Sequence, residues 1–325
     1  MLPLSVLDLV PLGRDRTSAS ALADSVELAR AVDRLGYVRL WYAEHHNMPG
    51  ITTTTPEILI AHVGQVTERI RLGAGGVMLP NHAPLKVAES YRLLEALHPG
   101  RIDLGIGRAP GTDPRTALAL RRSTHALGAD DFLDQLAELR GYDGEPGAIR
   151  AMPDDVRLPP IWLLGSSDYS ANLAAELGLG FAFAGHFSPE EPAGPMLAYR
   201  QRFRPGPLPR PHAILALAVF CADTEEAATR MAAPMLAAMA ELRAGRPGRL
   251  RSPDDALRRT FSPGEAQTVA FFRRLQIVGT PDQVRAGIEA AARNTAADEV
   301  MIATHAYDLS DRLRSYELVA AARNG

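Results

Sequence analysis

Short hydrophobic runs rich in β-branched residues alternate along the chain with segments whose apolar residues recur at helical spacing. The first run covers residues 4–10, and the helical pattern after it ends at Gly36. Strands that alternate with helices are typical of a parallel sheet, because parallel strands need crossover connections. The pattern predicts eight strands, at residues 4–10, 37–43, 70–79, 101–107, 161–164, 180–184, 213–221 and 299–304.

The predicted helices occupy the segments between these strands. Thr55 is expected to cap a helix that Pro56 opens, and Thr280-Pro281-Asp282-Gln283 has the pattern of a capping box with proline in the first turn. The remaining helices are predicted at residues 22–35, 84–97, 117–122, 132–139, 170–177, 190–203, 224–242 and 265–275, with a last one ending near 323.

Eight strands interleaved with helices predict an α/β fold, the (β/α)8 or TIM barrel, with insertions. Such a barrel takes about 250 residues as one domain, so we predict a single domain over residues 1–325. The alternative is a doubly wound open sheet. A Gly-x-Gly-x-x-Gly turn after the first strand would favour that fold, whereas this strand runs into Pro11-Leu12-Gly13.

Residues 243–263 are rich in arginine, glycine, proline and aspartate, which predicts a long mobile loop. A loop of this length beside an active site is a candidate lid. By closing, it would keep water away from the reacting groups.

Composition narrows the possible partners. The net charge of −3 is carried by interspersed charges, so we expect neither nucleic acid nor an acidic membrane surface as a partner. Cys221 is the sole cysteine, which rules out an intrachain disulfide, and its apolar surroundings predict a buried, inert thiol. No run approaches the roughly 20 apolar residues of a membrane helix, and residues 1–12 resemble a strand more than a signal peptide. We therefore expect a cytoplasmic protein.

The ends of the predicted strands carry unusual polar residues, and in a barrel the C-terminal strand ends build the active site. The second strand leads into Glu44-His45-His46. Adjacent residues on an extended segment point in opposite directions, so at most one histidine is expected to face the site. This spacing differs from the His-x-x-x-His of helical metal sites, and we predict no metal. The alternative role for a histidine here is to hydrogen-bond loop carbonyls.

The third strand contains Gly73, Gly75 and Gly76 where a packed strand would have side chains. Repeated glycine indicates either a β-bulge or a flat ligand against the backbone. A barrel layer that needs small residues is an equally common explanation.

Two further segments are candidate anion sites. Arg108 follows the last apolar position of the fourth strand, and its guanidinium suits a phosphate or carboxylate, although a surface ion pair is the common alternative. Ser166, Ser167 and Ser170 surround the junction of a strand with a helix, where free amides and the helix dipole attract anions. Ordinary capping by Ser166 or Ser167 is the alternative, and Asp168 would repel a phosphate unless it points outward.

Taken together, these strings resemble the luciferase-like flavin monooxygenases, in particular their single-chain bacterial oxidoreductase branch. The matching pieces occur in family order over nearly the whole chain. They are Leu7-Asp8, Trp41-x-Ala43-Glu44-His45-His46, residues 73–84, Ala88-Glu89, residues 99–108, residues 162–167 and residues 278–281.

The resemblance implies a (β/α)8 barrel with reduced FMN, or in some branches a reduced deazaflavin, at its C-terminal mouth. His45 matches the family's catalytic histidine beside the flavin ring, and Gly75-Gly76 matches the position of a non-proline cis peptide under that ring. Arg108, Ser167 and Ser170 match the phosphate-binding positions. Ser166 stands where the light-emitting luciferase subunit has a glutamate, so nothing here indicates light emission.

The function we expect from this resemblance is a monooxygenase that uses reduced FMN and molecular oxygen on a small organic substrate. A separate reductase is expected to supply the flavin, since no dinucleotide-binding domain is visible, and the family suggests a homodimer. His82 and Glu44 are expected near the substrate pocket, with Glu44 either orienting the histidine or forming a structural ion pair. The alternatives are a deazaflavin-dependent dehydrogenase on the same barrel and a non-catalytic flavin-binding protein.

Overall fold

A computed structural model describes residues 2–109, 111–121, 131–144 and 147–324 of the chain. The last residue of the helix predicted at 117–122 lies outside these ranges. The strands are β1 (Leu4–Asp8), β2 (Arg39–Tyr42), β3 (Arg71–Met78), β4 (Ile102–Gly107), β5 (Ile161–Gly165), β6 (Gly180–Phe183), β7 (Ala213–Cys221), β8 (Gln276–Gly279) and β9 (Glu299–Ala303).

The described helices follow or precede these strands, and a short 3-10 turn at Leu79–Asn81 follows β3. They are α1 (Ser18–Arg34), α2 (Pro56–Gly64), α3 (Pro84–Leu97), α4 (Pro114–Arg121), α5 (Phe132–Gly141), α6 (Asp168–Leu177), α7 (Ala193–Arg202), α8 (Glu225–Arg243), α9 (Pro253–Leu257), α10 (Pro263–Arg274), α11 (Pro281–Thr295) and α12 (Leu309–Asn324).

Eight of the strands form a closed parallel barrel. β1 to β6 pair in chain order, β6 pairs with β7, and β7 pairs with β9, which returns to β1. Because the ring closes, the predicted (β/α)8 barrel is confirmed and the doubly wound open sheet is wrong. All eight predicted strands are present, within three residues at each end.

The ninth strand, β8, was not predicted. It pairs with residues 218–221 of β7, beyond the part of β7 that pairs with β6. The strand has four residues and lies directly between the end of α10 and the start of α11. A run this short has no period of its own, so the pattern of apolar residues merged it with the neighbouring helices.

Of two helix starts predicted from capping residues, one is confirmed and one is wrong. The capping box at Thr280 is confirmed, with the Thr280 amide donating to Gln283 Oε1 at 2.9 Å. The Thr55 cap is wrong, because that side chain makes no capping hydrogen bond and Pro56 alone opens α2. Residues 243–263 are also more ordered than predicted, since they contain the short helix α9.

Main-chain hydrogen bonds hold part of this segment against the loop after β1. The Leu250 amide donates to the Leu12 carbonyl at 2.9 Å, and the Arg14 amide donates to the Leu250 carbonyl at 3.0 Å. Leu250 itself is buried. The segment therefore lies along the same rim of the barrel as the β1 loop.

The barrel interior is filled by a small apolar cluster with two tryptophans at its centre. Trp41 and Trp162 meet edge to face with ring centroids 5.6 Å apart. A Cβ on Gly73 would lie 2.8 Å from Trp41 Nε1 and 2.6 Å from the Asp103 carbonyl oxygen, so only glycine fits beside the indole. This supports the small-residue explanation for Gly73.

At the N-terminal end of the barrel, charged side chains replace apolar ones. Arg39 lies 2.8 Å from Asp103 and 2.8 Å from Glu299, and Arg71 pairs with Asp103 at 2.6 Å. Burial opposes ionisation of Glu299, but hydrogen bonds from His212, Arg39 and Ser5 and the charge of Arg39 lower its pKa to about 2. The network therefore keeps its charges and joins β2, β3, β4 and β9.

The cysteine and the helices both bear on expectations from the composition. Cys221 is buried, as predicted, and burial raises the pKa of its thiol to about 11. None of the helices in the described part of the chain combines the length and hydrophobicity that a membrane crossing requires.

Candidate active site

His45 follows the C-terminal end of β2, as a barrel-mouth residue should. Its main-chain amide donates to the Thr53 carbonyl at 3.0 Å, and its Nδ1 lies 3.2 Å from the Gly111 carbonyl oxygen. Because a carbonyl only accepts, Nδ1 carries the proton and Nε2 of the neutral ring is a free acceptor. Burial lowers the pKa of His45 despite the Gly111 hydrogen bond. At neutral pH the imidazole is therefore uncharged.

Glu44 organises the other two histidines of the predicted site. Its Oε1 lies 2.9 Å from His46 Nε2 and 2.8 Å from His82 Nε2, while its Oε2 accepts from the Met78 amide at 3.0 Å. Burial opposes ionisation of Glu44, but these hydrogen bonds lower its pKa to about 2, and the same carboxylate raises the pKa of His82. Glu44 therefore orients His46 and His82, and not His45, by joining the ends of β2 and β3.

A cavity of about 540 Å³ opens at the mouth beside His45. Its wall is mostly apolar and is shared by the loops after β1 and β2, the end of α8 and the residues that follow β6 and β9. Neither Glu44 nor His82 lines it, in contrast to the expectation for the substrate pocket. The lining includes Leu9, Pro11, His45, Met48, Ile51, His186, Phe187, Met235, Met239, Leu242, Arg243, Leu250, Phe272 and His305.

His186 and His305 line this cavity and were missed by the sequence analysis. His186 follows β6 and His305 follows β9, and both are buried. Burial, together with neighbouring positive charge or imidazoles, lowers the pKa of each to about 3. A polar residue just beyond a strand end was the clue that could have found them, because the same rule led to His45 and Arg108.

Arg108 lies beyond the end of β4, with its guanidinium carbon 4.1 Å from the centre of the Tyr169 ring. Tyr169 belongs to the first turn of α6. Within the described ranges Arg108 has no carboxylate partner, so the surface ion pair considered as its alternative role is absent there. The stacking brings a cation to the first turn of α6, so the two candidate anion sites lie next to each other.

The hydroxyl groups at this helix start are not used for capping. Ser167 is the N-cap residue, yet its side chain accepts no hydrogen bond from the helix, and none is found for the Ser166 or Ser170 hydroxyl in the residues that the structure covers. Asp168 is exposed, consistent with a carboxylate that points outward. The start of α6 therefore offers free helix amides and hydroxyls without a capping role, the groups that an anion at a helix N-terminus uses.

Gly75 and Gly76 are joined by a cis peptide bond, as the resemblance implied. The pairing of β3 with β4 shifts register between Ala74 and Val77, in line with the β-bulge considered for these glycines. A Cβ on Gly75 would lie 2.8 Å from Leu7 Cδ1, and one on Gly76 would lie 2.8 Å from the Gly105 carbonyl oxygen. The backbone contact alone requires glycine at Gly76, whereas at Gly75 the Leu7 side chain would have to move.

The anion site and the cavity adjoin each other at the mouth. Ser188, two residues after His186, donates to the Ser166 carbonyl at 3.3 Å, and Gly111, which holds His45, follows Arg108 by three residues. No group of three metal-ligating side chains is placed to hold a metal ion in the described ranges. The arrangement can hold a phosphorylated cofactor on one side and an apolar organic molecule beside neutral imidazoles on the other.

Comparison with known proteins gives a family for this arrangement. The family model described as luciferase-like monooxygenase matches residues 2–299. The Bacillus subtilis protein YvbT is 43% identical, covering 98% of this chain and 95% of its own, and an Escherichia coli luciferase-like monooxygenase is 42% identical over 97% and 95%. The N-acetyl-S-alkylcysteine monooxygenase of B. subtilis is 34% identical over 99% and 98%.

Solved structures agree with these relatives. The apo-MsnO8 crystal structure superposes with a TM-score of 0.89 at 38% identity, covering 99% of this chain and 98% of its own. The oxygenating constituent of the Pseudomonas putida 3,6-diketocamphane monooxygenase, solved with FMN, shares the fold with a TM-score of 0.74 at 19% identity, over 98% and 96%. From the family match and these relatives, the chain belongs to the luciferase-like monooxygenase family.

Proposed function

We propose that this protein is a monooxygenase that binds reduced FMN at the barrel mouth and oxidises a small organic substrate with molecular oxygen. Bound reduced FMN would supply the electrons that activate oxygen, of which one atom goes to the substrate. A separate reductase would provide the flavin. The family membership supports oxygen-incorporating oxidoreductase chemistry, and the geometry of the mouth supports FMN.

The observation that carries the choice of FMN is the stacking of Arg108 on Tyr169 at the start of α6. It places the guanidinium at the first turn of α6, with no carboxylate neutralising it in the described ranges. Arginine with helix-start amides suits a terminal phosphate, and FMN ends in one. The cis peptide Gly75-Gly76 would lie under the flavin ring, as in the family.

His45 is suited to proton transfer in the same site. Its Nδ1 is committed to the Gly111 carbonyl, which leaves Nε2 as the atom that can accept a proton or a hydrogen bond from a reacting group. Because burial lowers its pKa, the ring is neutral and able to act as a base at neutral pH.

The rival cofactor is a deazaflavin, which moves a hydride and needs no oxygen. A structure of an F420-dependent secondary alcohol dehydrogenase has the same fold with a TM-score of 0.67, covering 99% of this chain and 98% of its own, but at 11% identity this likeness concerns the fold alone. The 34% identical relative is named for oxygenation of N-acetyl-S-alkylcysteine, which favours the monooxygenase proposal.

Replacing His45 by alanine should preserve FMN binding but weaken the reaction of the bound reduced FMN with oxygen. Reduced FMN is bound anaerobically, oxygen is admitted, and the flavin spectrum is followed by stopped flow. Wild type should give an oxygen-dependent spectrum unlike that of free FMN, and in H45A its lifetime should fall by about 100-fold or more. The exposed His62→Ala in α2 is the matched control.

The same experiment carries a pH test, because the imidazole must be neutral to accept a proton. In wild type, the lifetime of the oxygen-dependent spectrum should decrease at acid pH, with a midpoint below the ordinary histidine pKa of about 6.5. This acid limb should be absent from H45A. Tight FMN binding without any oxygen-dependent spectrum would point to the deazaflavin dehydrogenase or to a flavin-binding protein. Failure to bind FMN at all would overturn the proposal.

Arg108→Ala should weaken FMN binding by about tenfold or more, because a charge-assisted hydrogen bond to phosphate contributes roughly 1.5–3 kcal/mol. Riboflavin, which lacks the phosphate, should bind both proteins equally. Titration calorimetry with each flavin measures the difference. Arg210→Ala is the control, since this exposed arginine precedes β7 at the other end of the barrel. Equal FMN affinities in R108A and wild type would remove Arg108 from the phosphate site.

Residues 243–263 remain our candidate lid, because Arg243, Pro247 and Leu250 line the cavity. Several exposed arginines make the segment a trypsin substrate. Bound reduced FMN should slow cleavage there several-fold if the segment closes over the site, while cleavage after the exposed Arg202, at the end of α7, should not change. Mass spectrometry of a digestion time course measures both rates. Equal rates with and without flavin would contradict a lid.

We also propose a homodimer formed through α2 and α3. Ile58 on α2 and Leu93 and Leu97 on α3 are each more than half exposed, and α2 packs against α3. Leu93→Glu with Leu97→Glu should convert the dimer to a monomer in analytical ultracentrifugation, because the charges would have to be buried. Leu257→Glu, at a similarly exposed leucine of α9, should leave the mass unchanged. A monomeric wild type would refute this assembly.

A further inference from the structure

Two buried ring nitrogens in the cavity have no hydrogen-bond partner within the described residues. They are Nδ1 of His186 and Nε2 of His305. Only 8% of His186 and 6% of His305 is exposed, and both residues line the cavity beside His45. Buried polar atoms are nearly always hydrogen-bonded in folded proteins, so this pair indicates a ligand that supplies the missing partners.

The other nitrogen of each ring decides what that partner must be. His186 bonds the Ala216 carbonyl, and since its Nδ1 is unpaired, Nε2 carries the proton. His305 Nδ1 lies 3.0 Å from Met235 Sδ, a weak acceptor, so Nδ1 carries the proton there. Burial keeps both rings neutral. Nδ1 of His186 and Nε2 of His305 are therefore acceptors, and the ligand must present a donor.

The surrounding wall favours a flat, aromatic ligand. Met48, Met235 and Met239 contribute three thioethers, and Phe187 and Phe272 contribute two rings. Sulfur–aromatic and ring–ring contacts stabilise an aromatic ligand beyond the burial of its area. The one cationic side chain in the described lining, Arg243, is exposed at the end of α8, eight residues after the Met235 that contacts His305.

We propose that His186 and His305 form a substrate subsite that binds the hydroxyl group of a phenolic aromatic compound. The inference rests on the proposed function, because it names the substrate class of the same cavity. The hydroxyl has one proton and donates to one of the two imidazole nitrogens at a time, while the ring packs among the methionines and phenylalanines. A carboxylate has no proton to donate at neutral pH and is disfavoured at the same two nitrogens.

Binding of three matched probes tests the subsite without any turnover. Titration calorimetry of the protein with and without FMN uses β-naphthol, its methyl ether and β-naphthoate. The naphthol should bind at least about tenfold more tightly than either other probe, because only it satisfies a buried acceptor. Equal affinity for naphthol and ether, or tighter binding of naphthoate, would overturn the proposal.

Substitution of the two histidines tests whether they cause the preference for naphthol over its methyl ether. In His186→Leu and His305→Leu the advantage of naphthol over its ether should shrink, and in the double variant it should fall below about twofold. His62→Leu, on the exposed end of α2, should retain the wild-type ratio. A ratio that survives in a folded double variant would refute the assignment, and if neither variant folds the wild-type comparison decides alone.

The outcome is separable from the monooxygenase proposal. A naphthol preference combined with no oxygen-dependent flavin spectrum would keep the subsite and reject the chemistry. Oxygen chemistry combined with no naphthol preference would keep the chemistry and reject the subsite.

Discussion

Arg39 carries a positive charge into the barrel, with 7% of its side chain exposed, and lies between the carboxylates of Asp103 and Glu299. Its guanidinium also lies 4.7 Å from the centre of the Trp162 ring. An unpaired buried charge costs several kcal/mol, so β2, β4 and β9 can close only in the register that brings all three groups together. The closed ring, and every site at its far end, depends on this pairing.

The two ends of the barrel use polar groups in opposite ways. At the N-terminal end, carboxylates and guanidinium groups neutralise each other and are charged. At the mouth, His45, His186 and His305 lie in apolar surroundings without a carboxylate contact and are neutral. The acid nearest His45 in sequence, Glu44, is occupied by His46 and His82. Burial makes protonation of these rings costly, so each can accept a hydrogen bond from a ligand while it stays neutral.

Much of this architecture could be predicted from sequence. Strand runs, helix periodicity and proline positions identify local structure, and the rule that strand ends face the mouth led to His45 and Arg108. The stacking of Arg108 on Tyr169 could not be predicted, because it joins β4 to α6 through the packing of the whole ring. His186 and His305 lie just beyond strand ends, as His45 does, but their convergence in one cavity depends on the closed ring and could not be predicted. β8 was too short to show a period.

Main-chain hydrogen bonds hold the outer wall of the cavity in place. Leu250 is joined to Leu12 and Arg14 through main-chain N–H and C=O groups, and Leu12 to Gly50 in the same way. Such bonds do not depend on which side chains the segment presents. Side chains that face the cavity from this wall can therefore be exchanged while the barrel stays intact. The arrangement lets ligand preference diverge in evolution, or be altered by engineering, independently of folding.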